Sequence, residues 1–379
     1  MGGLRTRLRA VPLVGGACLA TLLALANAAP ASAATVDDRD HGSGTVYTIG
    51  NATAAQGGNT VLAFRDTRSG SLRPLGTYPT GGDGTGAPLG SQGAVVLTGG
   101  GSRLVTVNAG SSTVSAFQAG SGGRLSHLST AASGGTDPIS VSVHGGLVYV
   151  LNAGDNTVSG LRLGEDGIEA VEGSTRSLST GAQSPEQVSF TPDGRHLIVT
   201  EKASNTIDVF QVRGDGLLGV RQTTNSLGQG PYGFDFDRSG RAIVSDAADS
   251  ALTSYNVGAR GRLHAIGEVP DGQKAACWTV VDQRTGHAYV ANAATGTISF
   301  YQVGDSGQLS LQAAVGASSG GHPVDEALGS QGHEFFVLLS PGGKVMKSAV
   351  SSTGDLGSIS AVVTGLPDSA TGLAVSSDE

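Results

Sequence analysis

The sequence predicts an all-β fold, a seven-bladed β-propeller of four-stranded blades, closed by pairing the C-terminal strand with the N-terminal strands. Three observations predict it. One phrase (an apolar run, an Asn or acid, a small turn, a second apolar run) recurs about every 46 residues. Glycine, 61 of 379 residues, falls between β-branched runs as turn punctuation, and no segment shows the apolar period of a helix. The chain also begins and ends part-way through a unit.

The N-terminus comes first. Arg5, Arg7 and Arg9 precede an apolar stretch over 11–26, and Ala31-Ser32-Ala33 is a small-residue cleavage pattern. Residues 1–33 are therefore expected to be a cleaved signal peptide rather than a membrane anchor, sending the protein to the exterior. Residues 34–44 read as a flexible lead and 45–379 as one propeller domain. Removing the leader takes Cys18 with it and leaves Cys277 alone, so no internal disulfide can form. The formal net charge of -8 becomes more negative without the leader's arginines. Nucleic acid and anionic membranes both need a basic footprint, so neither is an expected partner. The expectation is a monomer with a small-molecule ligand.

The repeat reads VYTIGN (46–51), LVTVNAGSSTVSAF (104–117), LVYVLNAGDNTVSGL (147–161), LIVTEKASNTIDVF (197–210), AIVSDAADSALTSY (242–255), AYVANAATGTISFY (288–301) and FFVLLSPGGKVMKSA (335–349). Its polar position is Asn51, Asn108, Asn152, Glu201, Asp246 and Asn292, with Leu339 breaking the column. A Gly-rich turn and a weaker strand follow, as in 120–129 and 304–313. A short strand ending in a tight turn completes the unit, as in 185–195 and 231–241. Four strands per unit make a propeller blade. The first unit is longer than the rest. The chain starts at Thr45 in a second strand and ends at 371–378 in a first strand, so pairing the two ends completes the seventh blade and leaves no free inner edge.

Two motifs that resemble chemistry fall in the turn between the third and fourth strands. They are Gly304-Asp305-Ser306-Gly307, like a serine-protease nucleophile, and Arg213-Gly214-Asp215, like an integrin ligand. Other units carry GSGG, GEDG or GARG in that slot, so turn geometry accounts for both. The glycines of 84–90 lack the strand-to-helix setting of a nucleotide loop.

In a blade the start of the first strand and the end of the second share a face near the central channel. The candidate ligand-binding residues there are Asn152, Asp246, Trp278, Asn292, Tyr232 and Asp325, with Glu186, Gln187 and Cys277 nearby. Glu201 stands out, because glutamate is a poor turn residue and its column neighbours are Asn or Asp. The catalytic candidates are Glu201 as acid or base with Lys202 or His322 assisting. A metal variant uses Asn152, Glu201, Asp246 and Asn292 as hard oxygen ligands to calcium or another divalent cation.

Segments 90–111, 138–160, 185–208, 231–237 and 275–281 together make the chain resemble the lactonase-type seven-bladed propellers. These include 6-phosphogluconolactonases and carboxymuconate cyclases, and the likeness is greatest to a secreted actinobacterial branch. The resemblance implies a lactone or cyclic-ester reaction. The enzymes' motif runs Gly-Pro-Arg-His and later Asn-Glu-Leu, with the arginine and glutamate implicated in catalysis. Here Pro185 keeps the proline, Glu186 and Gln187 replace Arg and His, and Glu201 is matched to the glutamate. Two functions follow: a lactonase acting at the channel mouth, or a non-catalytic extracellular binding propeller that has lost those cations.

Overall fold

The computed structural model describes Gly2 and residues 44–377, apart from 68–69, 99, 182–183 and 330–331. The signal-peptide and cleavage expectations lie outside the described residues.

Seven antiparallel sheets form seven blades. Their inner strands are Thr371–Ser377 in blade 1, Val95–Leu97, Pro138–His144, Pro185–Phe190, Pro231–Phe236, Ala276–Asp282 and Pro323–Leu328 in blades 2 to 7. Each touches the next in that order, and Thr371–Ser377 touches both Pro323–Leu328 and Val95–Leu97, which closes the ring. Blade 1 is made from both ends of the chain. Thr371–Ser377 pairs with Gly44–Ile49, followed outward by Thr60–Asp66 and Leu72–Pro79.

Burial explains the composition of each strand. Second strands such as Leu147–Asn152 and His287–Asn292 are buried along their whole length and are apolar or aromatic up to the closing asparagine. Outer strands such as Leu125–Ala132 bury mainly their first residue and are polar elsewhere. Blades are also stapled to one another. The hydroxyls of Tyr47, Tyr149 and Tyr289 donate to the carbonyls of Gly123, Gly216 and Gly354 in the next blade's outer turn, at 2.9, 3.0 and 2.6 Å. Gly123 and Gly216 have positive φ, which only glycine adopts without strain.

The two motif-like turns are turns. Arg213 pairs with its own Asp215 at 2.5 Å, so the tripeptide is folded back on itself. Gly304 and Gly307 close the hairpin between Thr297–Val303 and Leu309–Ser318, with the Gly304 N–H donating to Gln308 O and the Gly307 N–H to Gly304 O.

The longer first unit has a specific use. Residues 89–92, ahead of Val95–Leu97, reach across the ring. The Ser91 hydroxyl donates to Ile139 O in blade 3 at 2.7 Å, and Trp278 Nε1 of blade 6 donates to Ser91 O at 3.1 Å. The Tyr232 hydroxyl of blade 5 donates to Gly90 O. Gln92 bonds both backbone groups of Thr279, at 2.8 and 3.1 Å. Gly233 makes room: a Cβ there would overlap Gln92 Oε1 and stand 2.5 Å from Cys277 O. The channel is bridged at this end by side chains from opposite blades.

Candidate active site at the channel mouth

The polar column does not open into the channel. Asn152 Nδ2 donates to Thr157 Oγ1 and Ser159 Oγ at 3.3 and 3.2 Å, and Asn292 Nδ2 donates to Thr297 and Ser299 at 3.3 and 2.8 Å. Asp246 Oδ2 accepts from Thr253 at 2.5 Å. Glu201 Oε2 accepts from Ser179, Ser204 and Thr206 at 2.7, 3.0 and 2.9 Å. All four residues are fully buried, and their partners lie on the third strand or in adjoining loops, away from the channel. The loop arriving from the preceding blade packs on them so closely that a Cβ at Gly135 would lie 2.6 Å from Asn152. Buried polar groups need such partners, and here they lock blade to loop.

The metal set expected from the sequence is spread over four different sheets. Asn152 and Asn292 use their amides, and Glu201 and Asp246 one oxygen each, on these local partners, while Asn152 Oδ1, Glu201 Oε1, Asp246 Oδ1 and Asn292 Oδ1 accept no hydrogen bond. Among the described residues no three of His, Cys, Asp and Glu form a metal-holding group. His322 is exposed in the loop before Pro323, and among the described residues no hydrogen bond joins it to Glu201 or Lys202. Asp325 is buried, and its two oxygens accept from Glu326 N and Leu373 N at 2.9 Å each, so it caps the adjoining inner strand. Burial pushes its carboxyl up to about 8.

What gathers at the mouth is a ring of bulge residues. Inner and second strands skip a residue between Pro138 and Ser140, Pro185 and Gln187, Pro231 and Phe234, Ala276 and Trp278, and Pro323 and Asp325. A bulge leaves its extra residue unpaired and re-aims its side chain. Glu186, Tyr232 and Cys277 occupy these positions in successive blades. Lys202, one residue beyond the column, pairs with Glu186 Oε1 at 2.6 Å and lies 4.9 Å from the Tyr232 ring centroid. Tyr232 meets Trp278 edge to face at 5.4 Å.

Exposure separates the members of the site. The Lys202 side chain is 37% exposed and that of Glu186 6%, so the ammonium forms the accessible edge over a sheltered carboxylate. Burial is the larger effect on Glu186 and pushes its carboxyl up to about 7, against the opposing pull of Lys202. Burial also pushes the Cys277 thiol up to about 12, with Glu186 adding to the shift and Lys202 opposing it. Burial and the raised pKa both disfavour the reactive thiolate. Cys277 is expected to resist thiol reagents at pH 8 in the folded protein and to react at once in denaturant, as thiol titration checks.

The lactonase, seven-bladed β-propeller family matches residues 94–252 and 242–350, most of the described ring. The chain belongs to that family. It is 31% identical over 105 residues to a 6-phosphogluconolactonase of Klebsiella pneumoniae (strain 342). The match covers 27% of this chain and 31% of that enzyme, so it spans about a third of the relative's length. A protein from Lactobacillus plantarum superposes with a TM-score of 0.73 at 19% identity, over 89% of this chain and all of that one. The periplasmic gluconolactonase of Pseudomonas aeruginosa superposes with a TM-score of 0.67 at 16% identity, covering 88% and 100%. At these identities the structural likeness concerns the fold.

Strand register relates Glu201 and Lys202 to the equivalent positions of other blades. Glu201 pairs with Pro185 as Asn152 pairs with Pro138 and Asn292 with Ala276. Glu201 therefore stands in the same register as the column asparagines, and Lys202 lies one residue beyond it. Sequence reasoning placed Glu186 at the mouth without seeing the pair. The missing signal was the bulge, which turns Glu186 toward the residue after the column.

Proposed function

We propose that this lactonase-family propeller is a secreted hydrolase that opens small, uncharged lactones or cyclic esters at the bridged mouth, with Glu186 rather than Glu201 as its base. The observation that carries this reading is the 2.6 Å Lys202–Glu186 contact, in which a sheltered carboxylate near neutrality lies under a part-exposed ammonium. A base is most effective when its pKa lies near the working pH. Glu186 takes a proton from water, and the oxygen attacks the lactone carbonyl. The Lys202 ammonium donates to the developing oxyanion. The ring C–O bond then breaks, and the proton held by Glu186 goes to the leaving ring oxygen, giving the hydroxy acid.

The pair is neutral overall, and the chain carries a net charge of -8, which supports an uncharged substrate over a phosphorylated one. The leader pattern at 5–33 supports export with cleavage after Ala33. The gluconolactonase name of the Pseudomonas neighbour supports a sugar lactone as the first compound to try.

The test is a panel of neutral and phosphorylated γ- and δ-lactones, assayed with the full chain and with Lys202→Met. The expected result is turnover of neutral members, and a loss of about tenfold or more in kcat/KM on removing the ammonium. Turnover of no lactone, or equal rates in both proteins, would overturn the proposal.

A further inference from the structure

Lys202 is held along its length as well as at its charge. Its backbone N–H donates to Ser184 O at 2.9 Å, in the loop that enters blade 4. Its Cγ passes Gly230 of blade 5, where a Cβ would stand 3.4 Å away. The ammonium has three donors. One meets Glu186 Oε1 at 2.6 Å, and the face of the Tyr232 ring lies on another side, 4.9 Å from Nζ to the centroid. That ring is itself fixed. It is 5% exposed, its hydroxyl donates to Gly90 O of the bridging segment, and Trp278 meets its edge at 5.4 Å. Trp278 Nε1 in turn donates to Ser91 O of the same segment at 3.1 Å.

We infer that Tyr232 is a positioning residue of the mouth: the face of its ring, fixed by the bridging segment, holds the Lys202 ammonium against Glu186 and leaves the third N–H for the substrate oxyanion. This role rests on Lys202 and Glu186 as the working pair proposed above and names the group that sets their geometry. A ring face attracts a cation, and more strongly where both are sheltered from water. The four-carbon stem of a part-exposed lysine is otherwise free to wander. The contact crosses from blade 4 to blade 5, and its anchor is the segment entering blade 2. Of the groups facing Glu186, Lys202 and the Ser184 hydroxyl oppose the rise that burial causes. The Tyr232 phenol and the Cys277 thiol are both pushed up and stay protonated, and Asp325 of blade 7 faces Tyr232. An ammonium that leaves the ring also leaves Glu186, and the Glu186 carboxyl then rises further.

The experiment compares the full chain carrying Tyr232→Phe with the full chain carrying pentafluorophenylalanine in place of Tyr232. Both lack the hydroxyl and nearly share a shape, but fluorination reverses the charge of the ring face, so a role in packing alone would not separate them. Two readings are taken: the carboxyl ¹³C resonance of Glu186 against pH, assigned with Glu186→Gln, and steady-state kinetics on a neutral lactone. With the fluorinated ring, Glu186 is expected to titrate about half a pH unit or more higher than in Tyr232→Phe. On the lactone, kcat is expected to be about fivefold lower or more, with KM unchanged. Equal titrations in the two ring variants would overturn the inference, whatever the kinetics, and so would a loss that appears in KM alone. The carboxyl titration needs no substrate. It therefore decides the role of Tyr232 even where no lactone is hydrolysed, and the two failures stay distinguishable.

Discussion

Glu186→Gln is expected to lower kcat/KM on a neutral lactone by about 10²-fold or more, the usual contribution of a general base. Glutamine keeps the shape of the side chain and can still accept from Lys202, so the site survives while its base is gone. The loss should fall on kcat more than on KM, because the carboxylate works on water and the proton rather than holding the substrate. Steady-state kinetics on the purified full chain read this directly. A KM effect alone would instead mark Glu186 as a binding group.

The second large effect is structural. Gly233→Ala places a methyl onto Gln92 Oε1 and 2.5 Å from the Cys277 backbone oxygen, with Trp278 Cα at 3.1 Å. Gln92 can swing away only by giving up its two bonds to Thr279. The backbone of blade 6 cannot yield without moving its second strand. Overpacking of this kind costs about 1–3 kcal/mol, and each lost hydrogen bond adds about 1 kcal/mol. The expected outcome is a marked fall in Tm by calorimetry. The bridge should loosen with it, and Trp278, the only tryptophan and 3% exposed, reports that directly. Its fluorescence should become quenchable by acrylamide in the variant and remain protected in the parent.

The ring itself was legible because a period survives sequence drift. Four strands per unit, glycine turns and half-units at both ends leave few other closures, and blade 1 forms from both termini as the repeat required. The column was legible as a position, and so were its local partners. Asn152 and Asn292 carry a threonine and a serine five and seven residues on, and these hydroxyls, visible in the sequence, claim the side chains for the hairpin. Glu201 is the one glutamate among Asn and Asp in the column, and its Oε2 accepts from Ser179, Ser204 and Thr206. Asp208 occupies the serine's place seven residues on, where it accepts from Thr223.

The mouth was harder to read, because its geometry depends on contacts that no local pattern encodes. The longer first unit was visible, but not that Gly90, Ser91 and Gln92 would meet Tyr232, Trp278 and Thr279 on the far side of the ring. The Glu186–Lys202 pair depends on one skipped residue between Pro185 and Gln187. Without the bulge the alternation of the strand would send Glu186 elsewhere.

The most direct test of the mouth pair as the working centre is the pH dependence of kcat/KM on a neutral lactone. With Glu186 pushed up to about 7 and required as carboxylate, the rate should climb with pH along a single limb centred near that value. The limb should be absent from Glu186→Gln and unchanged in Glu201→Gln. A limb that survives the loss of Glu186, or that disappears with Glu201, would contradict the assignment and return the chemistry to the column.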